Sequence, residues 1–562
     1  MNSAPVPAGA GEAHLDPRRW VTLSILIMAV MLIAVDISVL NVAIPTILRE
    51  LDTTVPTLQW VITGYSLTFA TFLIVGGRLG DVYGHRRMFV IGAALFGVGS
   101  LLASIAPNVG VLILGEAIIE GLGAALLSPS SLAILSSTFR GRERATAFAV
   151  WGATIGAAVA FGPVFGGFLT TNYSWRWSFR INVVMAPIAI IGALRLIPRS
   201  PRGEKRPIDL PGAALIAVSM FLLVFALSEQ GEYGWWRPVR SFAIGGVAVW
   251  PASRPVAISA VAFLASMAVL LAFVRYEIAR FRRGTEPLFE FAPLRLRSFR
   301  YGLITLTILA LGQFGLLFTL PLFLQTAGGL SAQTTGFWLL PLGLSVIIGA
   351  QLGGRLARRI TPTTISRAGL VVQACSYIVV IRAIAPGVTF AEIIPGLVGF
   401  GIGIGFASSQ LTNVVLAEVP LDQAGVASAA NSTARQIGAA LGASLIASLV
   451  STRTIQHAVG LADSAAFDPA VRARFVAAVR ASGPSTPPLG GLPASVATEV
   501  QRVLAESVAA GTRAAMAFGC AVVAVGAVTS MLIPRRLGPA EPISARSLTR
   551  PAPTDGSDAG GP

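Results

Sequence analysis

The sequence predicts an all-α, polytopic membrane protein, and three observations carry that reading. Hydrophobic residues make up 54% of the 562 positions and charged residues only 12%, where soluble domains run at about 25% charged. Mean hydropathy is +0.73. The apolar residues also fall in runs of 20 or more, the length that crosses ~30 Å of hydrocarbon as a helix. By length the chain has room for three or four soluble domains at ~100–200 residues each. So few charges cannot cover that many separate cores.

Read between charged and Pro- or Gly-rich breaks, the runs give fourteen expected spans: 21–47, 57–79, 88–106, 109–136, 145–170, 179–198, 210–228, 257–279, 301–325, 333–354, 364–385, 389–417, 424–451 and 511–534. The span at 257–279 follows a stretch with Trp235, Trp236 and Trp250, whose rings suit the membrane interface. The ends 1–20 and 535–562 are read as cytoplasmic tails, with the Pro-, Gly- and Ser-rich stretches 1–17 and 537–562 expected to be disordered. The N-terminal stretch carries Glu12 and Asp16 and lacks the basic start and short apolar core of a cleaved signal peptide. Residues 452–510 form the one long loop. Its segments FDPAVRARFVAAV and ASVATEVQRVLAESV have helical apolar spacing, so it is expected to be partly helical. It would cover the outer mouth or serve packing, with substrate capture as the alternative.

Net charge is +16, from 42 Lys+Arg against 26 Asp+Glu. In a soluble chain that points to nucleic acid. Here it fits basic loops held on the cytoplasmic face, and no nucleic-acid partner is expected. With the N-terminus inside, the inner segments hold 28 basic residues and the outer ones 13, six of these near or in the long loop. Long loops weigh little in this rule, so both termini are placed in the cytoplasm. Cys375 and Cys520 lie in apolar runs, and His14, His85 and His457 are far apart. Neither a disulfide framework nor a bound metal or other cofactor is expected. The only lysine, Lys205, sits in GEKRP, which is not a phosphate-binding G-x-x-x-x-G-K-[ST] loop. Any transport would run on something other than the chain's own ATP hydrolysis.

Several segments carry more specific patterns. Residues 76–87 read GGRLGDVYGHRR. Its glycines, Gly77 and Gly84 among them, allow a tight turn and close helix approach. Asp81 lies among Arg78, Arg86 and Arg87, which suggests a charge relay between helix ends. GGRLARR at 353–359 is a weaker echo. In GATIGAAVAFGPVFGG, 152–167, the residues Gly152, Gly156, Gly162, Gly166 and Gly167 give a smooth face for helix contact, and Pro163 interrupts the hydrogen-bond ladder. Residues 34–47 read AVDISVLNVAIPTI, 174–182 SWRWSFRIN, and 424–442 AGVASAANSTARQIGAALG. In order and on the matching spans, these segments resemble the motifs of the fourteen-span drug:proton antiporters of the major facilitator superfamily, over roughly residues 20–450.

The resemblance implies two six-helix bundles, 21–198 and 301–534, with two extra spans inserted in 199–300. It implies a midplane cavity between the bundles and access that alternates by rocking. It also implies a bilayer-embedded carrier rather than an enzyme, taken to be a monomer, exporting small hydrophobic or cationic compounds across the bacterial cytoplasmic membrane in exchange for protons. The alternative is export of an endogenous lipid or cell-envelope metabolite. The sequence departs from the family twice. His85 and Val82 stand where the inner motif is usually basic. On span four, Ala117 and Glu120 replace the arginine and glutamine of R-x-x-Q-G, which makes the cavity more acidic and favours cations.

Mechanism is expected from charges inside the spans. A carboxylate at bilayer centre costs ~2.5–3.5 kcal/mol, so an isolated one is functional by default. Counting 1.5 Å per residue puts Asp36 about 15 Å deep, and Glu116 and Glu120 about 10 and 16 Å deep. Glu116 and Glu120 are i,i+4 on one helix face. Two carboxylates so close in low dielectric should not both ionise, which makes the pair a proton-binding element. Either this pair or Asp36 is the coupling site. A structural partner such as Arg180 for the glutamates, or Asn41 for Asp36, is the competing reading. In the second bundle Gln313 occupies the position pseudo-equivalent to Asp36. Arg435 on span thirteen reads as a packing or gating cation, with substrate contact as the alternative.

Overall fold

The computed structural model describes residues 17–51, 53, 55–198, 209–244, 247–283, 285, 292–420, 423–464, 468–482 and 493–535. The tails and Lys205 lie largely or wholly outside this set. The helices are α1 Arg19–Glu50, α2 Val55–Tyr83, α3 His85–Ser104, α4 Val109–Thr138, α5 Gly141–Asn172, α6 Arg176–Leu196, α7 Leu210–Tyr233, α8 Ile258–Arg282, α9 Arg297–Thr326, α10 Ala332–Leu356, α11 Pro362–Ala383, α12 Phe390–Ala417, α13 Ala424–Ser464, α14 Pro469–Ser482 and α15 Ala494–Ser530. Among the described residues twelve helices are long and apolar enough to cross a membrane. α2 and α5, with 29 and 32 residues, are not among those twelve and occupy the second and fifth expected positions. Val184, Ile188, Leu264, Ile348 and Val528 stay more than half exposed on the outer surface. A fold that faced water would present no such belt; hydrocarbon covers it.

Helices α1–α6 form one half, and α9–α13 with α15 form the other. The halves meet where α5 packs on α10 and α12 and where α2 packs on α13. α7 and α8 pack on each other, and α7 lies against both α2 and α13. Ile74 of α2, Met220 and Leu223 of α7, Phe273 of α8 and Ala429 of α13 share one core. The inserted pair therefore covers one seam between the halves.

Two expectations need correction. The connection between α7 and α8 holds an antiparallel hairpin, β1 Phe242–Ile244 with β2 Val247–Trp250. Phe242 is buried beside Trp60, Phe225 and Tyr233, so the Trp-rich stretch contains folded structure that the sequence did not announce. The 452–510 region is mostly not loop. α13 runs to Ser464, α14 follows, and α15 begins at Ala494. Phe475, Val479, Val500, Val503, Leu504 and Val508 join the core of the second half. That burial is what the helical spacing of the two segments signalled, and it supports packing.

Small residues set the helix spacing. A Cβ on Gly405 of α12 would lie 2.4 Å from the Ala350 N and 2.5 Å from the Val346 O of α10, both backbone atoms that cannot yield alone. Gly460 of α13 has open space around it. Gly405→Ala is expected to destabilise the second half by about 1–3 kcal/mol through overpacking. Gly460→Ala should leave stability unchanged or slightly raised. Thermal unfolding of the detergent-purified variants checks the contrast.

Candidate functional site

Three acids meet inside the first half. Asp36 of α1 is 3% exposed, and Glu116 and Glu120 of α4 are 1% and 0% exposed. One carboxylate oxygen from each lies within 4.8 Å of the others. Asn182 Nδ2 of α6 donates to Asp36 Oδ1 at 2.9 Å. The Ser100 hydroxyl of α3 donates to Glu120 Oε1. Asp36 Oδ2, Glu116 Oε2 and Glu120 Oε2 are buried without a donor. The Tyr65 hydroxyl of α2 is likewise buried and unbonded, in the field of all three acids. Among the described residues no arginine is paired with any of the three.

Local backbone explains the cluster. Residues Ile113–Glu120 of α4 are π-helical, a wider winding that is rare and concentrates at functional sites. α4 also presses directly on α3. A Cβ on Gly99 would lie 2.6 Å from the Gly115 O and from Glu120 Cγ, and one on Gly115 would lie 2.7 Å from the Gly99 O. The Glu120 side chain thus lies across Gly99 and reaches Ser100. On the other side Gly64 of α2 abuts Ala117, where a Cβ would come within 2.9 Å of the alanine Cβ.

The partners named from sequence are different. Arg180 is exposed and stacks on Trp177, with its guanidinium 5.3 Å from the ring centroid. Asp36 bonds to Asn182, and the Asn41 side chain lies outside the described residues. Gln313 and Arg435 belong to another polar set, centred on α12. Gln313 Nε2 donates to Ser408 Oγ at 3.2 Å, and Arg435 Nη2 donates to Thr412 Oγ1 at 3.3 Å. Sequence reading missed Asn182 and Ser100 as partners of the cluster. Asn182 closes the SWRWSFRIN segment, so a signal existed. Ser100 follows Gly99 in a span that also holds Ser104, and nothing set it apart.

The 76–87 segment joins the halves through an acid. Asp81 Oδ1 accepts from the Gly425 N at 2.9 Å and Oδ2 from the Val426 N at 3.0 Å, the free amides at the start of α13. His85 Nε2 lies 3.2 Å from Asp81 Oδ1. Beside the expected arginine relay, Asp81 thus makes a helix cap that the sequence did not announce. Arg86 donates to the Leu194 carbonyl within the first half, and Arg87 is exposed. Gly77 permits the contact, since its Cβ would fall 2.6 Å from the Gly425 O, and Gly84 turns the chain at φ 93°. Arg144 of α5, unremarked in the sequence, adds a second tie by donating to the Leu416 carbonyl at 2.7 Å. In the 152–167 segment Gly152 meets Ser409, with a Cβ placed 2.9 Å from the serine Cβ. Gly162 and Gly166 are buried, while Gly156, Pro163 and Gly167 lie outside the residues whose packing is described. The helix itself runs on through position 163.

Two helical halves around shielded polar groups, set in an apolar belt, are the architecture of a membrane transport protein. The chain belongs to the major facilitator superfamily: residues 26–443 match the profile described as Major Facilitator Superfamily. It is 32% identical over 442 residues to the probable actinorhodin transporter of Streptomyces coelicolor, covering 77% of this chain and 73% of that one. It is 33% identical over 447 residues to the puromycin resistance protein pur8 of Streptomyces alboniger, covering 78% and 83%. The crystal structure of the human organic anion transporter MFSD10 (TETRAN) shares the fold with a TM-score of 0.56 at 12% identity, over 92% of this chain and 100% of that one.

Removing the Asp81 carboxylate strands two buried-end amides of α13. Asp81→Ala is expected to lower stability by about 1–3 kcal/mol, with Arg87→Ala, at an exposed position, close to neutral. Thermal unfolding of the two variants measures the difference.

Proposed function

We propose that this chain is a fourteen-span, proton-coupled exporter of amphipathic, cationic drugs or toxic natural products across the bacterial cytoplasmic membrane, with both termini inside. The observation that carries the reading is the group Asp36, Glu116 and Glu120, buried together with three unsatisfied oxygens and, among the described residues, no paired arginine. Acids this close in low dielectric do not all ionise unless something positive joins them. A proton and a cationic substrate are the two candidates, and they compete for the same oxygens. That competition is antiport. Protons arriving from outside neutralise the cluster and release the cation outward; deprotonation toward the inside restores the negative site. The names of the antibiotic-resistance relatives support drug efflux as the physiological outcome.

The remaining residues have assigned tasks. Asn182 and Ser100 hold Asp36 and Glu120 in place by donated hydrogen bonds. Gln313 and Arg435 supply the polar wall of the opposite half. Asp81 with Gly77 and Gly84 closes the inner ends, and the glycine face of α5 lets the halves slide on each other.

The test is efflux from proteoliposomes under an imposed pH gradient, with a panel of mono- and dications. Acid on the side that receives substrate should accelerate export, because proton entry drives release. Asp36→Asn should lower gradient-driven efflux by at least about tenfold, a barrier change of ~1.4 kcal/mol, while the protein still reaches the membrane. The double variant Glu116→Gln, Glu120→Gln should also lose the dependence on pH. Full gradient-driven efflux in both variants would sink the proposal. Unchanged ethidium accumulation with altered lipid composition in a deletion strain would assign export to an endogenous lipid instead.

A further inference from the structure

The face that carries the Asp81 cap also carries a cleft of about 500 Å³ between the start of α9, the start of α11 and the end of α15. Three guanidinium groups line it, those of Arg297, Arg367 and Arg535, and among the described residues no acid does. Arg367 is committed to structure. Its Nε and Nη2 donate to the Ser530 carbonyl at 3.2 and 3.1 Å, and Nη2 donates to the Ile533 carbonyl at 2.7 Å. These bonds cap the end of α15 and pin the 531–535 turn, yet they leave the positive charge in the cleft. Arg297 and Arg535 are exposed at its rim. Glu418, which is not part of the lining, accepts from the Ser298 hydroxyl. Met531 and Leu532 also line the cleft and are 68% and 53% exposed, apolar side chains at the end of a spanning helix.

We propose that this cleft binds the phosphate of an anionic phospholipid headgroup. Three like charges around one concavity repel each other until an anion joins them. Basic pockets between spanning helices on the cytoplasmic side suit such headgroups. Guanidinium groups pair well with phosphate oxygens. The start of α9 adds the positive end of its helix dipole. A soluble phosphate satisfies the arginines alone, whereas a phospholipid also lays an acyl chain over Met531 and Leu532. The apolar rim therefore selects the lipid. The site is independent of the acidic cluster and of what the protein exports.

The experiment titrates the full-length, detergent-purified protein with phosphatidylglycerol, phosphatidylcholine or inorganic phosphate, read by native mass spectrometry and by thermal shift. Phosphatidylglycerol is expected to bind and raise the melting temperature, and phosphatidylcholine is not. The double variant Arg297→Gln, Arg535→Gln should bind phosphatidylglycerol roughly tenfold more weakly. Its melting temperature without lipid should match the parent, since both side chains are exposed. Arg535→Glu alone provides a second reading of the same site should the double variant fold poorly, with weakened binding again expected. Undiminished phosphatidylglycerol binding in the variants, or equal binding of phosphatidylcholine, overturns the proposal. Stabilisation by inorganic phosphate without any by phosphatidylglycerol overturns the lipid assignment and leaves a soluble phosphate site.

Discussion

Desolvation of three carboxyl groups in one place is the constraint around which the first half is built. Each alone would cost ~2.5–3.5 kcal/mol at the middle of a bilayer. Here they are gathered, so repulsion adds to the cost of removing water. The surrounding helices make this possible by coming unusually near to one another. Gly99 and Gly115 bring α3 and α4 into backbone contact, and Gly64 brings α2 onto the same stretch of α4. Larger residues there would wedge the helices apart and admit water. The π-helical turn does the complementary task of delivering both glutamates to the side where Asp36 and Asn182 wait.

The two halves are tied by unequal versions of one device. Gly77 of the 76–87 segment fits under Gly425 and Ala429 of α13. In the echo at 353–359, Gly354 fits against Ala149 and Thr146 of α5, where a Cβ would lie 2.8 Å from the Ala149 Cβ. The packing is thus repeated across the pseudo-symmetric seam. The acid is not: Arg358 stands where Asp81 would be by spacing. The second seam relies on Arg144 reaching the Leu416 carbonyl. One side of the closure is a carboxylate on helix amides, the other a guanidinium on a helix carbonyl.

Much of this was legible in the residues. Apolar runs separated by charged breaks locate most of the helices to within a few positions, the far end of α13 and the start of α15 excepted, because hydrocarbon demands long unbroken apolar segments. The isolated acids in spans one and four announced themselves for the same reason. What they touch was not readable. Asp36 and Asn182 are 146 positions apart, and nothing in local spacing encodes such a pair. The π turn was invisible too, since ILGEAIIE has no proline to mark a change of winding. The sequence pointed to the arginines around Asp81 and not to the amides of Gly425 and Val426 that it caps. Its neighbours in sequence are basic, but the amides it caps belong to a helix start more than 340 residues later. The hairpin at 242–250 and the buried face of α14 and α15 were underestimated because short amphipathic segments between spans look like loop until something covers them.

The length of α13 has a mechanical corollary. At 1.5 Å per residue its 41 residues form a rod about 60 Å long, roughly twice the hydrocarbon thickness. One tip is held by Asp81, and the far tip leads into the α14 and α15 cover. A tilt of about five degrees at the anchored tip sweeps the opposite tip through about 5 Å by simple trigonometry on that rise. A small change of angle at the two-bond fastening of one tip is therefore amplified into a displacement of several ångströms where the helix meets α14 and α15.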